Sequence, residues 1–298
     1  MFKRILVPLD GSELSASILP QLRRLLSAGE EVVLLAVVDA DHTTAHEREE
    51  GLSKHDSLEK RLATARAELN QQVETLSAQG IPARAQVQVG EPAAVIVSDA
   101  SIDEPSLIAM STHGRGGLAR WVRGSVAERV LRRAEVPLLL VTPRVDPTRP
   151  FRRVLVALDG SARSAEILPL AAELARVHEA ELILLRVGVV APPIGAAAYP
   201  AWAPPAPIPT AEELEESVTP YLAQVPAGVN ARVLTSTEAS VSEAILEAVE
   251  REEADVLAMT THGRSGFDRW LFGSISEKVL RHCKVPLLVK RTVPARGT

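Results

Sequence analysis

The sequence predicts an α/β protein of two tandem doubly wound domains, each a five-stranded parallel sheet with helices on both faces. Three observations carry that prediction. The stretch FKRILVPLDGS at Phe2 to Ser12 returns as FRRVLVALDGS at Phe151 to Ser161, 149 positions later. At the same spacing, MSTHGRGGLARWVRGSVAERV (Met110 to Val130) returns as MTTHGRSGFDRWLFGSISEKV (Met259 to Val279), with 12 of 21 positions identical. Within each half, short apolar runs alternate with longer amphipathic ones, the pattern of strand–helix–strand units that build a parallel sheet through right-handed crossovers.

In the first half the runs at Ile5 to Leu9, Val32 to Val38, Ala85 to Val89, Leu107 to Met110 and Leu138 to Val141 read as the five strands. Several are apolar on both faces, as strands covered by helices above and below must be. Leu58, Leu62, Ala65, Leu69, Val73 and Leu76 recur at steps of three and four, which predicts one apolar face on a helix of about five turns. Pro20 and Pro169 stand at matching places in the first helix of each half, where proline either kinks a helix or delays its start. The stretch TPRVDPTRP from Thr142 to Pro150 separates the repeats with prolines and charge, so the domains are placed at residues 1–145 and 150–298. In the second half, Val189 to Glu216 is too rich in Pro and Ala to be regular helix before about Thr210. It reads first as a linker, with a lid or a partner-binding segment as alternatives.

At 298 residues with 46% hydrophobic content, the chain can fill a core in each half. A net charge of -5 offers no basic field for nucleic acid or an anionic membrane, so any phosphate is gripped locally. The single cysteine, Cys283, excludes an intramolecular disulfide, and the apolar run near Met1 is too short for a secretion signal. No run approaches the roughly 20 apolar residues that span a bilayer. A soluble, cytoplasmic protein without nucleic-acid or membrane partners is expected.

In open α/β sheets ligands bind beyond the carboxyl ends of the strands, near the switch in strand order. Both repeated motifs fall there: Asp10 follows the first strand, and Ser111 to Gly114 follow the fourth. Gly114 permits a tight turn and close backbone approach, while Gly124 precedes a helix whose free N–H groups can hold an anion. In outline this is a phosphate cradle.

The spacing of Gly114, nine residues, then Gly124 and Ser125, with the early VPLDGS and the late VPLLLV, resembles the universal stress protein family in its ATP-binding branch. The resemblance spans both halves. The family's motif is Gly-x-x-Gly, nine residues, Gly, then Ser or Thr; this chain departs at the first glycine, which is Ser111 in one half and Thr260 in the other. If that glycine serves a positive φ or leaves room beside the ribose, binding weakens here. Carried over, the resemblance puts Pro8 and Asp10 against the nucleoside, with Val37 and Met110 flanking the base. Gly114, Arg115, Gly124 and Ser125 then hold the phosphates of ATP, with or without Mg²⁺. In the second half Asp159, Val187, Met259, Gly263, Arg264, Gly273 and Ser274 take the same places, Val187 requiring a one-residue insertion. Ala157 replaces Pro8 and Ala239 to Ser242 replace Gly90 to Ala93, so the second site is the weaker match. The resemblance also implies that the domains pair about a pseudo-twofold axis through the terminal strands, Val136 to Val141 and Val285 to Lys290. Further pairing of two chains as a homodimer is left open.

Each residue also has a plainer role. Ser125 and Ser274 each begin Ser-x-x-Glu, a capping box, and Asp10 fits an Asx turn. His113 and His262 sit in glycine turns with no nucleophile nearby in sequence and read as scaffold. His42, His46 and His55 lie in a polar stretch without the spacing of a metalloprotease site and read as solvated. Arg115 and Arg264 can pair with phosphate or with surface carboxylates. Trp121 and Trp270 read as packing residues.

Catalytic signatures are missing: there is no P-loop, no dinucleotide fingerprint after the first strand, and no Gly-x-Ser-x-Gly elbow. An ATP without a lysine clamp or a carboxylate cluster has little reason to be hydrolysed quickly. The expected function is a nucleotide-responsive stress module without rapid catalysis. The alternatives are a nucleotide-independent scaffold and a slow ATPase.

Overall fold

A computed structural model describes residues 2–26, 30–40, 53–102, 106–112, 126–142, 145–146, 148–189, 208–262 and 274–292. The chain divides into two compact units, Met1–Thr148 and Arg149–Thr298.

The first unit runs β1 (Arg4–Pro8), α1 (Glu13–Ala16), α2 (Leu19–Leu25), β2 (Glu31–Val38), α3 (Lys54–Ala78), β3 (Ala83–Val89), α4 (Pro92–Ala100), β4 (Ser106–Ser111), α5 (Val126–Arg133) and β5 (Leu138–Val141). Its strands pair in parallel in the order β3-β2-β1-β4-β5. The order reverses between β1 and β4, which is where a crevice opens. Ile5, Leu6 and Val7 are fully buried on both faces of the central strand, and so are Val32 to Leu35 on β2. That burial on both faces is why these runs read as unbroken apolar stretches.

Helix α3 reaches 25 residues, longer than the apolar periodicity alone predicts, because Ser53 caps it a turn earlier by accepting from the N–H of Asp56 at 3.2 Å. Leu69 and Leu76 supply its buried contacts. Pro20 stands in the first turn of α2 and Pro169 in the first turn of its counterpart, so in both halves proline delays a helix. Beneath β1 a buried ion pair joins Arg4 to Asp99 at the end of α4. The same carboxylate accepts from Gln86 Nε2 at 2.6 Å and Gln88 Nε2 at 2.9 Å on β3, so one group ties three elements together.

The second unit runs β6 (Arg153–Leu158), a 3₁₀ turn (Ser164–Ile167), α6 (Leu168–Val177), β7 (Glu181–Val189), α7 (Ala211–Glu216), α8 (Thr219–Leu222), β8 (Ala231–Glu238), α9 (Val241–Arg251), β9 (Val256–His262), α10 (Ser274–His282) and β10 (Leu287–Thr292). Its sheet is again parallel, in the matching order β8-β7-β6-β9-β10. Helix α7 begins where the sequence first permits it, with Thr210 and Glu213 forming a capping box. Residues 190–207 of the Pro-rich stretch lie outside the described residues. Among the described residues no helix is long and apolar enough to cross a membrane.

Candidate functional site

The turn after β1 is built by a knot of hydrogen bonds. Asp10 Oδ1 accepts from the backbone N–H of Ser12 at 3.0 Å and from its hydroxyl at 2.6 Å. Ser12 Oγ accepts in turn from the N–H of Ser15, whose own hydroxyl accepts from the N–H of Asp10 at 3.2 Å and donates to Ser12 O. Gly11 sits at φ +79°, a conformation that favours glycine. Burial pushes the Asp10 carboxyl up, but the hydrogen bonds from Ser12 and Ser15 outweigh it and hold the group below its ordinary value. Asp10 is therefore an Asx-turn residue and an ionised carboxylate at once.

The second half repeats the knot. Asp159 Oδ1 accepts from Ser161 N at 2.9 Å, Ser161 Oγ from Ser164 N at 3.1 Å, and Ser164 Oγ from Asp159 N at 3.2 Å. Sequence reasoning missed Ser15 and Ser164, although the signal was present: both follow the DGS triplet at the same offset.

At the switch point of the first sheet lies a cavity of about 260 Å³. It gathers five of the expected residues, Pro8, Asp10, Val37, Met110 and Ser111. Its volume falls a little under the usual range of small-ligand pockets, roughly 300 Å³ upward. Leu35 on β2 and Ile96 on α4 add apolar walls that the sequence did not reveal, because they depend on tertiary packing. Thr112 and Val126 also line it. In sequence these two residues bracket the segment 113–125 that carries the glycine motif, which lies outside the described residues.

Ser111 and Thr260, the departures from glycine, are not at positive φ. Ser111 ends β4, half-buried, with its hydroxyl 2.9 Å from that of Ser17. Thr260 lies within β9 and is buried, paired with Lys290 of β10. The place matching Ser17 holds Glu166 there, whose carboxylate meets Lys290 Nζ at 3.7 Å. The two halves thus differ at the mouth of the crevice, one presenting hydroxyls and the other an ion pair.

Strand register confirms the insertion before Val187: Pro8 pairs with Leu35 and Ala157 with Leu185, so Val37 and Val187 each stand two residues beyond the matched partner. Asp159 follows β6 and Met259 lies on β9 opposite Ala157. Gly114, Arg115, Gly124 and Ser125 lie outside the described residues, as do Gly263, Arg264, Gly273 and the side chain of Ser274, which opens α10. His42, His46, His113, Trp121 and Trp270 fall outside them too. Glu128 and Glu277, the acids of the two expected capping boxes, each bond to an arginine one turn on, Arg132 and Arg281.

Glu91 braces the far wall. It caps α4 by accepting from the N–H groups of Ala93 and Ala94, and it pairs with Arg129 of α5 at 3.0 Å. Burial, the largest single influence, raises its carboxyl, yet those amides together with Arg129 and Arg133 bring it below its ordinary value. In the second half Ser240 stands in its place and makes no side-chain cap. Among the described residues no three His, Cys, Asp or Glu side chains form a metal site. Asp10 is the one carboxylate among the described residues lining the cavity, so Mg²⁺ would be held mainly by a nucleotide's own phosphates.

The model of the universal stress protein family matches residues 1–142 and again 150–291. A universal stress protein of Methanocaldococcus jannaschii is 27% identical over 146 residues, covering 47% of this chain and 81% of that protein. One from Mycobacterium bovis is 30% identical over 200 residues, covering 63% of each chain. The crystal structure of a universal stress protein from Archaeoglobus fulgidus superposes with a TM-score of 0.70 at 23% identity, over 97% of this chain and 98% of that one, which shows a shared fold.

Proposed function

The chain belongs to the universal stress protein family, and on that premise we propose that it is an ATP-binding regulatory module of the cytoplasm that works without rapid catalysis. The tight site is that of the first unit, at the switch point of its sheet. The observation that carries this reading is the bracketing of the glycine segment by Thr112 and Val126, both in the walls of a cavity that already holds Pro8, Asp10, Val37 and Met110. Val37, Met110, Leu35 and Ile96 offer an apolar slot for the flat base. Asp10, ionised at neutral pH, accepts from the ligand's hydroxyl or amino groups. The phosphates then extend toward Gly124 and Ser125, where backbone N–H groups at the start of α5 receive anionic oxygens. Mg²⁺ arrives with the nucleotide.

The second unit is the weaker binder in this proposal. It lacks the proline of β1, buries Thr260, and closes the place of Ser17 with the Glu166–Lys290 pair. Occupancy stabilises the liganded state by mass action, which turns nucleotide level into a change of stability or assembly. Isothermal titration of Mg·ATP into nucleotide-stripped protein tests the reading. One dominant site per chain, weakened by Asp10→Ala, supports it; heat no different from dilution at millimolar ATP removes it in favour of a nucleotide-independent scaffold.

A further inference from the structure

A second and larger cavity, about 530 Å³, opens in the first unit between the β1 turn and α3. Ala36 and Val38 of β2 line this cavity alone, Leu35 lines the nucleotide cavity alone, and Val37 at the strand end lines both. Its far wall is α3, with Arg61, Thr64, Glu68 and Gln72.

The second unit shows what the chain itself places in the equivalent position. By strand register Ala36 corresponds to Arg186. The Arg186 guanidinium donates from Nε to Ser217 Oγ at 3.3 Å and from a terminal nitrogen to its own neighbour's carbonyl, Val187 O. A β-carbon built on Gly160 would stand 3.5 Å from that Nε and 3.4 Å from that Oγ. Tyr221 closes the arrangement by donating to Gly160 O at 3.1 Å. At the matching glycine of the first unit, Gly11, the nearest group is instead the Glu68 carboxylate, with Oε2 3.1 Å from such a β-carbon. Glu68 has no hydrogen-bond or ion-pair partner among the described residues. One unit thus fills this place with a guanidinium against a hydroxyl. The other has an alanine, an open volume and a carboxylate.

We propose that this cavity is a binding site for a small ligand with a guanidinium or ammonium at one end and a carboxylate beside an α-ammonium at the other, the class of free basic amino acids. The cationic end occupies the place that Arg186 takes in the second unit and pairs with Glu68. The carboxylate end lies toward Arg61, seven residues earlier on α3 and so about 10 Å away along the helix axis, a span that an extended basic amino acid bridges with a hydrogen bond at each end. Arg61 already donates from Nε to Ser57 O at 3.4 Å and from a terminal nitrogen to Asp39 O at 2.8 Å, which fixes its head at the end of β2. A guanidinium has five donors and is suited to bidentate carboxylate recognition. Thr64 lies between the two charges and Gln72 one turn beyond Glu68, offering a hydroxyl and an amide to the ligand's stem. This cavity adjoins the nucleotide cavity and shares Leu9, Asp10, Ser12, Ser15 and Val37 with it, but Arg61 and Glu68 line this one alone, so arginine binding is read independently of ATP binding.

Titration of L-arginine into the full-length protein, followed by calorimetry, tests this. The expected result is saturable binding at one site per chain, weakened about tenfold or more by Glu68→Gln, which removes a charge-assisted pair. Ala36→Arg should abolish it by reproducing the arrangement of the second unit. Agmatine, which lacks the carboxylate, should bind more weakly than arginine. Glu68 is exposed, so Glu68→Gln leaves the fold intact by circular dichroism and decides the matter if Ala36→Arg does not fold. No saturation by arginine at millimolar concentration, equal affinity in Glu68→Gln, or agmatine binding as tightly as arginine would each overturn the proposal.

Discussion

The backbone N–H of Asp10 donates to Ser15 Oγ at 3.2 Å, closing a turn in which each serine both gives and receives a hydrogen bond. Asp159 and Ser164 repeat the relationship at the same distance in the second half. Ser15→Ala should therefore cost about 0.5–1 kcal/mol of stability, the lower part of the net range for a hydrogen bond, since these bonds are exposed. Under the proposed function it also weakens ATP binding at the first site, because Asp10 loses the contact that sets its backbone. Urea unfolding followed by calorimetry on the same variant checks both.

The Asp10 carboxyl, held below its ordinary value, gives a pH signature. A group whose folded value is depressed contributes stability that is present above its unfolded value and lost as pH falls through the folded one. Asp10→Asn should then lower the urea midpoint at neutral pH, and the gap to the wild type should narrow on acidification below about pH 4, the unfolded range of aspartate. A gap independent of pH would show that the carboxylate's charge plays no part.

Gly11 at φ +79° should resist replacement. Gly11→Ala is expected to cost about 1–2 kcal/mol from the left-handed backbone alone, since the only atoms within reach of the new methyl are those of the flexible Glu68 carboxylate. Thermal unfolding of Gly11→Ala beside Gly80→Ala, where nothing lies within 4 Å and φ is +77°, separates strain from contact.

The thiol of Cys283 is pushed up to about 11 by burial. It is therefore protonated and shielded at neutral pH, and alkylation by iodoacetamide should be slow in the native protein and fast in urea. Rapid modification of the folded chain would contradict the burial.

The Arg4–Asp99 pair, both partners almost wholly enclosed, should be among the costliest positions in the first unit. Asp99→Ala takes the carboxylate away from a buried guanidinium, which keeps the carbonyl of residue 99, and removes the acceptor of two glutamine amides, at a cost of about 3 kcal/mol, the lower end for a broken buried pair. A chemical denaturation curve for the variant gives the number directly.

The sheet was legible because its strands are buried on both faces, so runs such as Ile5 to Val7 and Val32 to Leu35 carry no polar interruption. The start of α3 was less so: Ser53 caps the helix from outside its apolar face, where periodicity gives no signal. Of the residues that line the cavity, Pro8, Asp10, Met110 and Ser111 stand in the repeated strings and are marked by the family resemblance, whereas Val37 lies outside the strings and is marked by the resemblance alone. Ile96 reaches the cavity from a helix whose packing the sequence does not state. Ser17 left no trace in the repeat, since Glu166 replaces it. The contrast between Ala36 and Arg186 was hidden by the one-residue insertion that only strand register resolves.

The central claim is that nucleotide enters the cavity at the switch point of the first unit. The most direct test is calorimetric titration of Mg·ATP into the wild type, Ser111→Phe and Thr260→Phe, counting sites in each. The account predicts that Ser111→Phe, which fills the cavity beside Met110, abolishes the dominant site while Thr260→Phe spares it. Unchanged binding in Ser111→Phe would contradict the account and place the nucleotide elsewhere.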